Sequence, residues 1–225
     1  MVISASNQNA QASRLVLMMG GTFDPIHHGH CRSALELTQR LPVQRVHLVP
    51  CQQPVHRTTP GASPDQRMTM LRLAIADEPL LCADDRELRR STPSWTVDTL
   101  ESLRAEYGDQ QPLGLVLGWD AFCGIPHWSR PERLLELAHL IVLTRPGSGG
   151  EPPALLQDWL TQHQTQALDD LLQQPAGRLW CDTLPSQLMI SASHIRQQIA
   201  EGQSIRYLLP EAVANYIAQH SLYLP

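Results

Sequence analysis

Two histidines, His27 and His30, follow a pair of glycines near the start of the chain. The segment reads Gly20-Gly21-Thr22-Phe23-Asp24-Pro25-Ile26-His27-His28-Gly29-His30. Glycines let a backbone approach a phosphate closely, and the N–H groups at a helix start favour anions. Two imidazoles on one side of such a turn can donate hydrogen bonds to phosphate oxygens and stabilise charge that develops during a reaction. The segment therefore predicts a site that binds a phosphate group and stabilises charge that develops on it.

Other interpretations of this segment remain to be weighed. A dinucleotide fingerprint is excluded because GxGxxG is absent, and a P-loop is excluded because the chain contains no lysine. A metal site built from His27, His28 and His30 stays open, although no carboxylate or cysteine stands nearby at the expected spacing. A plain turn with incidental histidines also stays open.

A second candidate phosphate site lies near the end of the chain. The segment reads Ile190-Ser191-Ala192-Ser193-His194-Ile195-Arg196. Small hydroxyl residues at a helix start, followed by an arginine one turn later, are typical of a phosphate cradle. Taken alone, the same pattern is also that of an ordinary capped helix.

Composition sets limits on the function. The chain has 225 residues, of which 42% are hydrophobic, and this is enough for one domain with a sizeable core. A net charge of −5 argues against a broad nucleic-acid-binding face. All 17 cationic residues are arginine, so chemistry that elsewhere uses lysine must use Arg or His here. Five scattered cysteines without CxxC spacing predict reduced thiols, and the short apolar runs predict a cytoplasmic protein without a membrane partner.

The elements that must position these segments alternate along the chain. Short apolar runs predict strands at Leu15–Met19, Val46–Val49, Leu80–Ala83, Arg86–Leu88, Leu113–Leu117, His139–Thr144 and Arg178–Thr183. Helical spacing and capping residues predict helices at His30–Arg40, from Ser63-Pro64 onward, from Ser94 to about Glu106, and at Pro131–Ala138, 154–174, Ser193–Ala200 and Pro210–His220. This alternation predicts an α/β fold, a doubly wound parallel sheet, within a single domain spanning residues 1–225. We expect residues 1–13 to be flexible and residues 147–177 to form a variable helical segment.

Ligands of such sheets bind beyond the carboxyl ends of the strands. That rule selects the segments that follow Met19, Val49, Leu117 and Thr183. The chemistry-bearing motifs fall in these segments, so we expect them to meet at one edge of the sheet.

The segment Gly20–His30 resembles the N-terminal signature of the HxGH nucleotidyltransferase superfamily. The form GGTFDPxHxGH is similar to that of bacterial nicotinate-mononucleotide adenylyltransferases, and the similarity extends from Leu15 to about Tyr216. The resemblance implies a Rossmann-like nucleotidyltransferase fold and direct adenylyl transfer from ATP to nicotinate mononucleotide. It also implies Mg²⁺ bound mainly through the ATP phosphates and water.

The resemblance further implies which residues act. For ATP binding these are Gly20, Gly21, Thr22, Phe23, His27, Gly29, His30, Gly118, Asp120, Ile190, Ser191, Ser193 and Arg196. For catalysis they are His27, His30, Arg57 and Arg196. For the acceptor nucleotide they are Asp24, Arg57, Trp95, Thr96, Asp120, Trp128 and Arg145. Arg57 stands where the family carries lysine, and Trp128 is expected to stack on the pyridine ring.

Several alternatives stay open at this point. Within the same superfamily, the chain resembles pantetheine-phosphate adenylyltransferases and cytidylyltransferases less closely. From other classes, a non-catalytic nucleotide sensor and a histidine-dependent metal hydrolase remain. The oligomeric state and the degree of preference for the acid over the amide form of the acceptor are not determined by the sequence.

Overall fold

The computed structural model describes residues 14–52, 61–90, 93–144 and 150–225. The strands are β1 Leu15–Gly21, β2 Val43–Pro50, β3 Leu81–Ala83, β4 Leu113–Gly118, β5 His139–Thr144 and β6 Leu179–Thr183. The helices are α1 His28–Arg40, α2 Pro64–Ala74, α3 Thr96–Tyr107, α4 Trp119–Cys123, α5 Arg133–Leu137, α6 Ala154–His163, α7 Leu168–Gln173, α8 Ala192–Ala200 and α9 Glu211–Gln219, with a 3-10 turn at Ile125–His127. In the described part of the chain, no helix has the length and apolar character needed to cross a membrane.

All six strands run parallel in one sheet with the order β3-β2-β1-β4-β5-β6. The first strand, β1, lies in the middle of the sheet, and β2 and β3 follow outward on one side of it. The chain then crosses to the other side of β1, where β4 pairs with it. The carboxyl ends of β1 and β4 therefore form the point at which the strand order reverses, where ligands of such sheets bind. The predicted doubly wound α/β sheet is confirmed.

The central strand β1 is buried on both faces. Leu15 and Leu17 belong to one apolar cluster, and the alternating residues Val16 and Met18 belong to the other. Because successive side chains of a strand point to opposite faces, helices must cover the sheet on both sides. This double burial holds the end of β1, with its glycines, in a fixed place.

Helix α2 begins as its sequence predicts. The Ser63 hydroxyl accepts from the Gln66 N–H, the Gln66 side chain accepts from the Ser63 N–H, and Pro64 occupies the first turn. The predicted cap of α3 is wrong by contrast. That helix begins at Thr96, and the Ser94 hydroxyl instead accepts a hydrogen bond of 3.1 Å from the Gln52 N–H.

Two further elements differ from the sequence prediction. Residues Arg86–Leu88 form a turn and not a strand, because both the backbone N–H and the guanidinium of Arg86 donate to the Asp84 carboxylate. The helical stretch predicted over 154–174 is broken into α6 and α7. The break allows the Thr165 N–H to donate to the Leu179 carbonyl at 2.9 Å, which ties this segment to the edge of β6.

Candidate active site

One cavity of about 710 Å³ opens at the carboxyl ends of β1 and β4. It is lined by every predicted site residue that the structure describes: Gly20, Gly21, Thr22, Phe23, Asp24, His27, Gly29, His30, Trp95, Thr96, Gly118, Asp120, Trp128, Ile190, Ser191, Ser193 and Arg196. Arg57 and Arg145 lie outside the described residues. A second groove of about 870 Å³ runs along α9, and its described lining includes none of the predicted residues. The cavity at the switch point is therefore the candidate active site, with a volume typical of a small-ligand site.

The two signature histidines meet at the start of α1. His27 is the extended residue before the helix, and its ring stacks on that of His30 with centroids 3.8 Å apart and planes inclined at 25°. The Phe23 ring meets the His30 ring edge-on at 5.0 Å. His28 faces away and lines the groove along α9. His27 and His30 thus form a stacked imidazole pair on the cavity wall.

Gly29 makes this pairing possible. A Cβ atom at this position would lie 3.0 Å from both Cε1 and Nδ1 of His27, closer than ordinary van der Waals contact. The spacing of two histidines around a glycine thus has a steric reason in this fold. A larger residue at position 29 would require the ring of His27 to shift by a few tenths of an ångström.

The carboxylate of Asp24 lies under the same turn and is 3% exposed. It accepts hydrogen bonds from the Gly61 N–H at 2.8 Å, the Ala62 N–H at 3.1 Å and the Tyr223 hydroxyl at 2.7 Å. Burial, followed by the Asp24 charge, raises the pKa of Tyr223. Asp24 therefore ties the start of α2 and the C-terminal segment to the cavity floor.

Arg196 lies across this turn on α8. Its Nη1 donates to the Asp24 backbone carbonyl at 2.7 Å, while about a third of the side chain stays exposed on the cavity. At the start of the same helix, the Ser191 hydroxyl accepts from the His194 N–H, and the hydroxyls of Ser191 and Ser193 are 3.3 Å apart. Ser191, Ser193 and Arg196 therefore line the same cavity as His27 and His30.

The opposite wall is formed by α3 and by the loop after the 3-10 turn. Trp95 and Thr96 stand at the start of α3, and Trp128 follows the 3-10 turn. Arg130, two residues later, forms an ion pair with Asp98 in the first turn of α3. This pair connects the two parts of the wall, so the tryptophans are held facing one cavity.

The helices α1, α3 and α8 all begin at this cavity. Helix N-termini carry partial positive charge and N–H donors, which favour bound anions. One acid that no sequence motif indicated, Glu87, also lines this cavity. Glu87 is 4% exposed, accepts from the Thr99 hydroxyl at 2.7 Å, and has its carboxyl pKa raised by burial.

Arg67 is a second residue that the sequence analysis missed. It is fully buried on α2 and donates to the carbonyls of Thr22 and Gln52, two residues at the ends of strands β1 and β2. The signal was present in the sequence, because an arginine occupies the apolar face of α2 beside Met70 and Leu71. A charged residue in such a position indicates a specific buried partner.

The described residues contain no group of three or more His, Cys, Asp or Glu side chains placed to hold a metal ion. His27, His28 and His30 therefore do not form such a group. A cation carried by phosphates and water requires few protein ligands. The residues present fit that arrangement better than a dedicated protein cage.

Comparison with known proteins agrees with the fold and the site. Residues 18–198 match the cytidylyltransferase-like family. A probable nicotinate-nucleotide adenylyltransferase of Chromohalobacter salexigens is 45% identical over 92% of this chain and 95% of its own length. Its counterpart in Aeromonas hydrophila is 46% identical over 92% and 96%. A Plasmodium falciparum nicotinic acid mononucleotide adenylyltransferase, solved in complex with NaAD, has the same fold with a TM-score of 0.71 at 18% identity, covering 93% of this chain and 97% of its own.

The doubly wound sheet, the cavity at its switch point and the matched relatives together identify the chain as a nucleotidyltransferase. The chain belongs to the cytidylyltransferase-like family, and within it to the nicotinate-nucleotide adenylyltransferases.

Proposed function

We propose that this chain transfers the adenylyl group of ATP to nicotinate mononucleotide in NAD biosynthesis, giving nicotinate adenine dinucleotide and pyrophosphate. The observation that carries this proposal is the meeting of two motifs distant in sequence. The His27–His30 pair and the Ser191–Arg196 helix start line one cavity, with Trp128 on its opposite wall. The shared name of the two close relatives supports the same reaction.

In this reaction an oxygen of the acceptor phosphate attacks the α-phosphorus of ATP in line. The new P–O bond forms as the bond to the bridging α,β oxygen breaks, and pyrophosphate leaves with that oxygen. A covalent enzyme intermediate is not needed, so catalysis consists of positioning and charge stabilisation. His27 and His30 donate to the phosphates of ATP, and Arg196 stabilises the charge of the leaving group. We also propose Arg57, which lies outside the described residues, as a catalytic cation at the phosphates.

Each end of the acceptor has a candidate partner on the α3 side. Trp128 and Trp95 offer aromatic faces for the cationic pyridine ring. The N–H groups at Thr96, where α3 begins, suit the nicotinate carboxylate. Asp120, which is exposed at the start of α4, is suited to accept from ribose or adenine groups. Arg145 keeps a predicted role in holding the acceptor.

We also propose that Mg²⁺ takes part, held by the ATP phosphates and water. When bound, it neutralises phosphate charge and favours departure of pyrophosphate. We infer a cytoplasmic location from the five free cysteines, which suit a reducing compartment.

The decisive experiment measures pyrophosphate release from ATP with and without a second substrate. We expect release only when an acceptor is present, with nicotinate mononucleotide the best of a panel that contains its amide analogue and pantetheine phosphate. Replacing ATP by CTP should lower the rate. Release without any acceptor would indicate a hydrolase, and nucleotide binding without release under any condition would indicate a sensor.

A further inference from the structure

Arg67 is the largest of the fully buried side chains in the described part of the protein. Its Nη1 donates to the Thr22 carbonyl at 2.8 Å and its Nη2 to the Gln52 carbonyl at 3.2 Å. Its Nε is buried with no hydrogen-bond partner among the described residues. The guanidinium thus joins the end of β1 to the segment after β2, directly behind the cavity wall.

Arg67 forms no ion pair within the described part of the chain. Across the described residues, no carboxylate oxygen lies within 4.0 Å of an Arg67 nitrogen, and residues 1–13, 53–60, 91–92 and 145–149 contain neither Asp nor Glu. The carboxylate of Asp24 is engaged with Gly61, Ala62 and Tyr223, and it lies 3.7 Å from Nη1 of Arg196. A buried charge without a counter-charge is costly, so its presence calls for a reason beyond packing.

The positive charge reaches the cavity. Cys51 lines the cavity, and burial raises the pKa of its thiol while the charge of Arg67 opposes that rise. An anion bound in the cavity would be attracted by the same charge through the poorly solvated wall.

Arg67 also determines how one peptide group is turned. In a trans peptide the carbonyl and the next N–H point in opposite directions. Because Arg67 draws the Thr22 carbonyl inward, the N–H of Phe23 points away from Arg67, and both Thr22 and Phe23 line the cavity. Phe23 has φ +49°, a backbone conformation that bulky residues seldom adopt without support.

We propose that Arg67 is a positioning residue for the triphosphate of the nucleotide donor. It turns the Thr22–Phe23 peptide so that its N–H faces the phosphates, and it places a permanent positive charge behind them. This rests on the proposed function only in that the donor is a nucleoside triphosphate. The identity of the acceptor does not enter.

The test compares Arg67→Gln, which removes the charge, with Arg67→Lys, which keeps the charge but cannot hold both carbonyls. Calorimetric titration of the full chain would use a non-hydrolysable ATP analogue with Mg²⁺ and, separately, nicotinate mononucleotide. We expect the glutamine variant to bind the analogue at least about 10-fold more weakly and the lysine variant about 3-fold more weakly, since charge-assisted contacts are lost in that order. Affinity for the acceptor should change by less than about 2-fold, because these contacts lie on the donor side.

Arg104 offers a matched control. It is 9% exposed and also donates to carbonyl oxygens, but the residues that it holds, Leu137, Gln111 and Pro175, do not line the cavity. Arg104→Gln should lower the melting temperature and leave the analogue affinity unchanged. If Arg104→Gln lowered the affinity for the analogue as much as Arg67→Gln does, the loss would reflect general stability and the proposal would fail.

Two other results would overturn the proposal. One is a folded Arg67→Gln protein, judged by circular dichroism, that binds the analogue like the wild type or loses acceptor affinity equally. The other result concerns the case in which the glutamine variant does not fold. The proposal then fails if Arg67→Lys binds the ATP analogue with wild-type affinity. If the wild type binds the analogue but not nicotinate mononucleotide, the acceptor assignment fails while the role of Arg67 is still decided.

Discussion

The guanidinium of Arg196 donates to the backbone carbonyl of Asp24 over 2.7 Å, although 172 residues separate them in the chain. This contact joins the turn after β1 to helix α8, so the two halves of the candidate phosphate site are held together by one of its own residues. Arg196 thus holds the Asp24 carbonyl with one nitrogen, while about a third of its side chain stays exposed to the cavity. Its substitution should affect both the stability of the fold and the binding of phosphate.

Arg196→Gln should raise KM for ATP by about two orders of magnitude, because it removes a charged donor from the phosphate site. Arg196→Lys should raise it about tenfold, since lysine keeps the charge without the planar fork. Steady-state kinetics with each substrate varied in turn would measure both. Arg206→Gln, on an exposed arginine outside the cavity, serves as the control. An unchanged KM in Arg196→Gln would contradict the assignment.

His30→Ala should lower kcat on the order of 10²-fold, the typical loss when one donor to a developing charge is removed. His28→Ala is the matched control, because the neighbouring histidine faces the other groove. Turnover near the wild-type value in His30→Ala would show that this ring does not act on the phosphates.

Gly29→Ala should lower activity while leaving thermal stability nearly unchanged. The new Cβ would lie 3.0 Å from the His27 ring and displace it, so we expect kcat to fall at least about tenfold. Helix propensity favours alanine by up to about 1 kcal/mol, which offsets the crowding, so the melting temperature should change little. Gly150→Ala, where an added Cβ meets nothing within 4 Å, should alter neither. Full activity in Gly29→Ala would contradict the steric argument.

The buried ring of His139 should make the free energy of unfolding depend on pH. The ring is fully buried, accepts from the Arg178 N–H at Nδ1 and donates to the Gln174 carbonyl at Nε2, which requires the neutral form. Burial lowers its pKa from 6.5 to about 4. In the unfolded chain His139 is protonated as the pH falls below about 6.5, whereas in the folded chain it stays neutral down to about pH 4.

The free energy of unfolding should consequently fall as the pH drops from 6.5 to 4, by up to about 3 kcal/mol from this group alone. Urea denaturation at several pH values would measure the slope. His139→Gln, which can still donate and accept, should flatten it, whereas His220→Gln on the exposed end of α9 should not. An unchanged slope in His139→Gln would assign the pH dependence to other groups.

Much of the fold follows from short-range pattern. The apolar runs at Leu15–Met19 and His139–Thr144 predicted central strands because both faces of such strands are buried. The Ser63 capping box predicted the start of α2 because its hydrogen bonds close within three residues. The prediction failed at Ser94 because its hydroxyl bonds to a distant residue, Gln52. It failed at Arg86–Leu88 for a local reason that the apolar pattern does not reveal, since the Asp84 carboxylate accepts from Arg86 and draws the backbone into a turn.

By itself, the sequence determined the class of reaction and the residues to examine, because the spacing of His27, Gly29 and His30 is a local property of one turn. The limits of the single domain and the role of each site residue stay predictions. The tertiary structure decided which groups stand behind that turn. Asp24 is turned into the floor, and Arg67 supplies a buried charge, because their partners come from other elements brought near by burial of the sheet. No local pattern records such contacts, since they arise only when the strands are packed side by side.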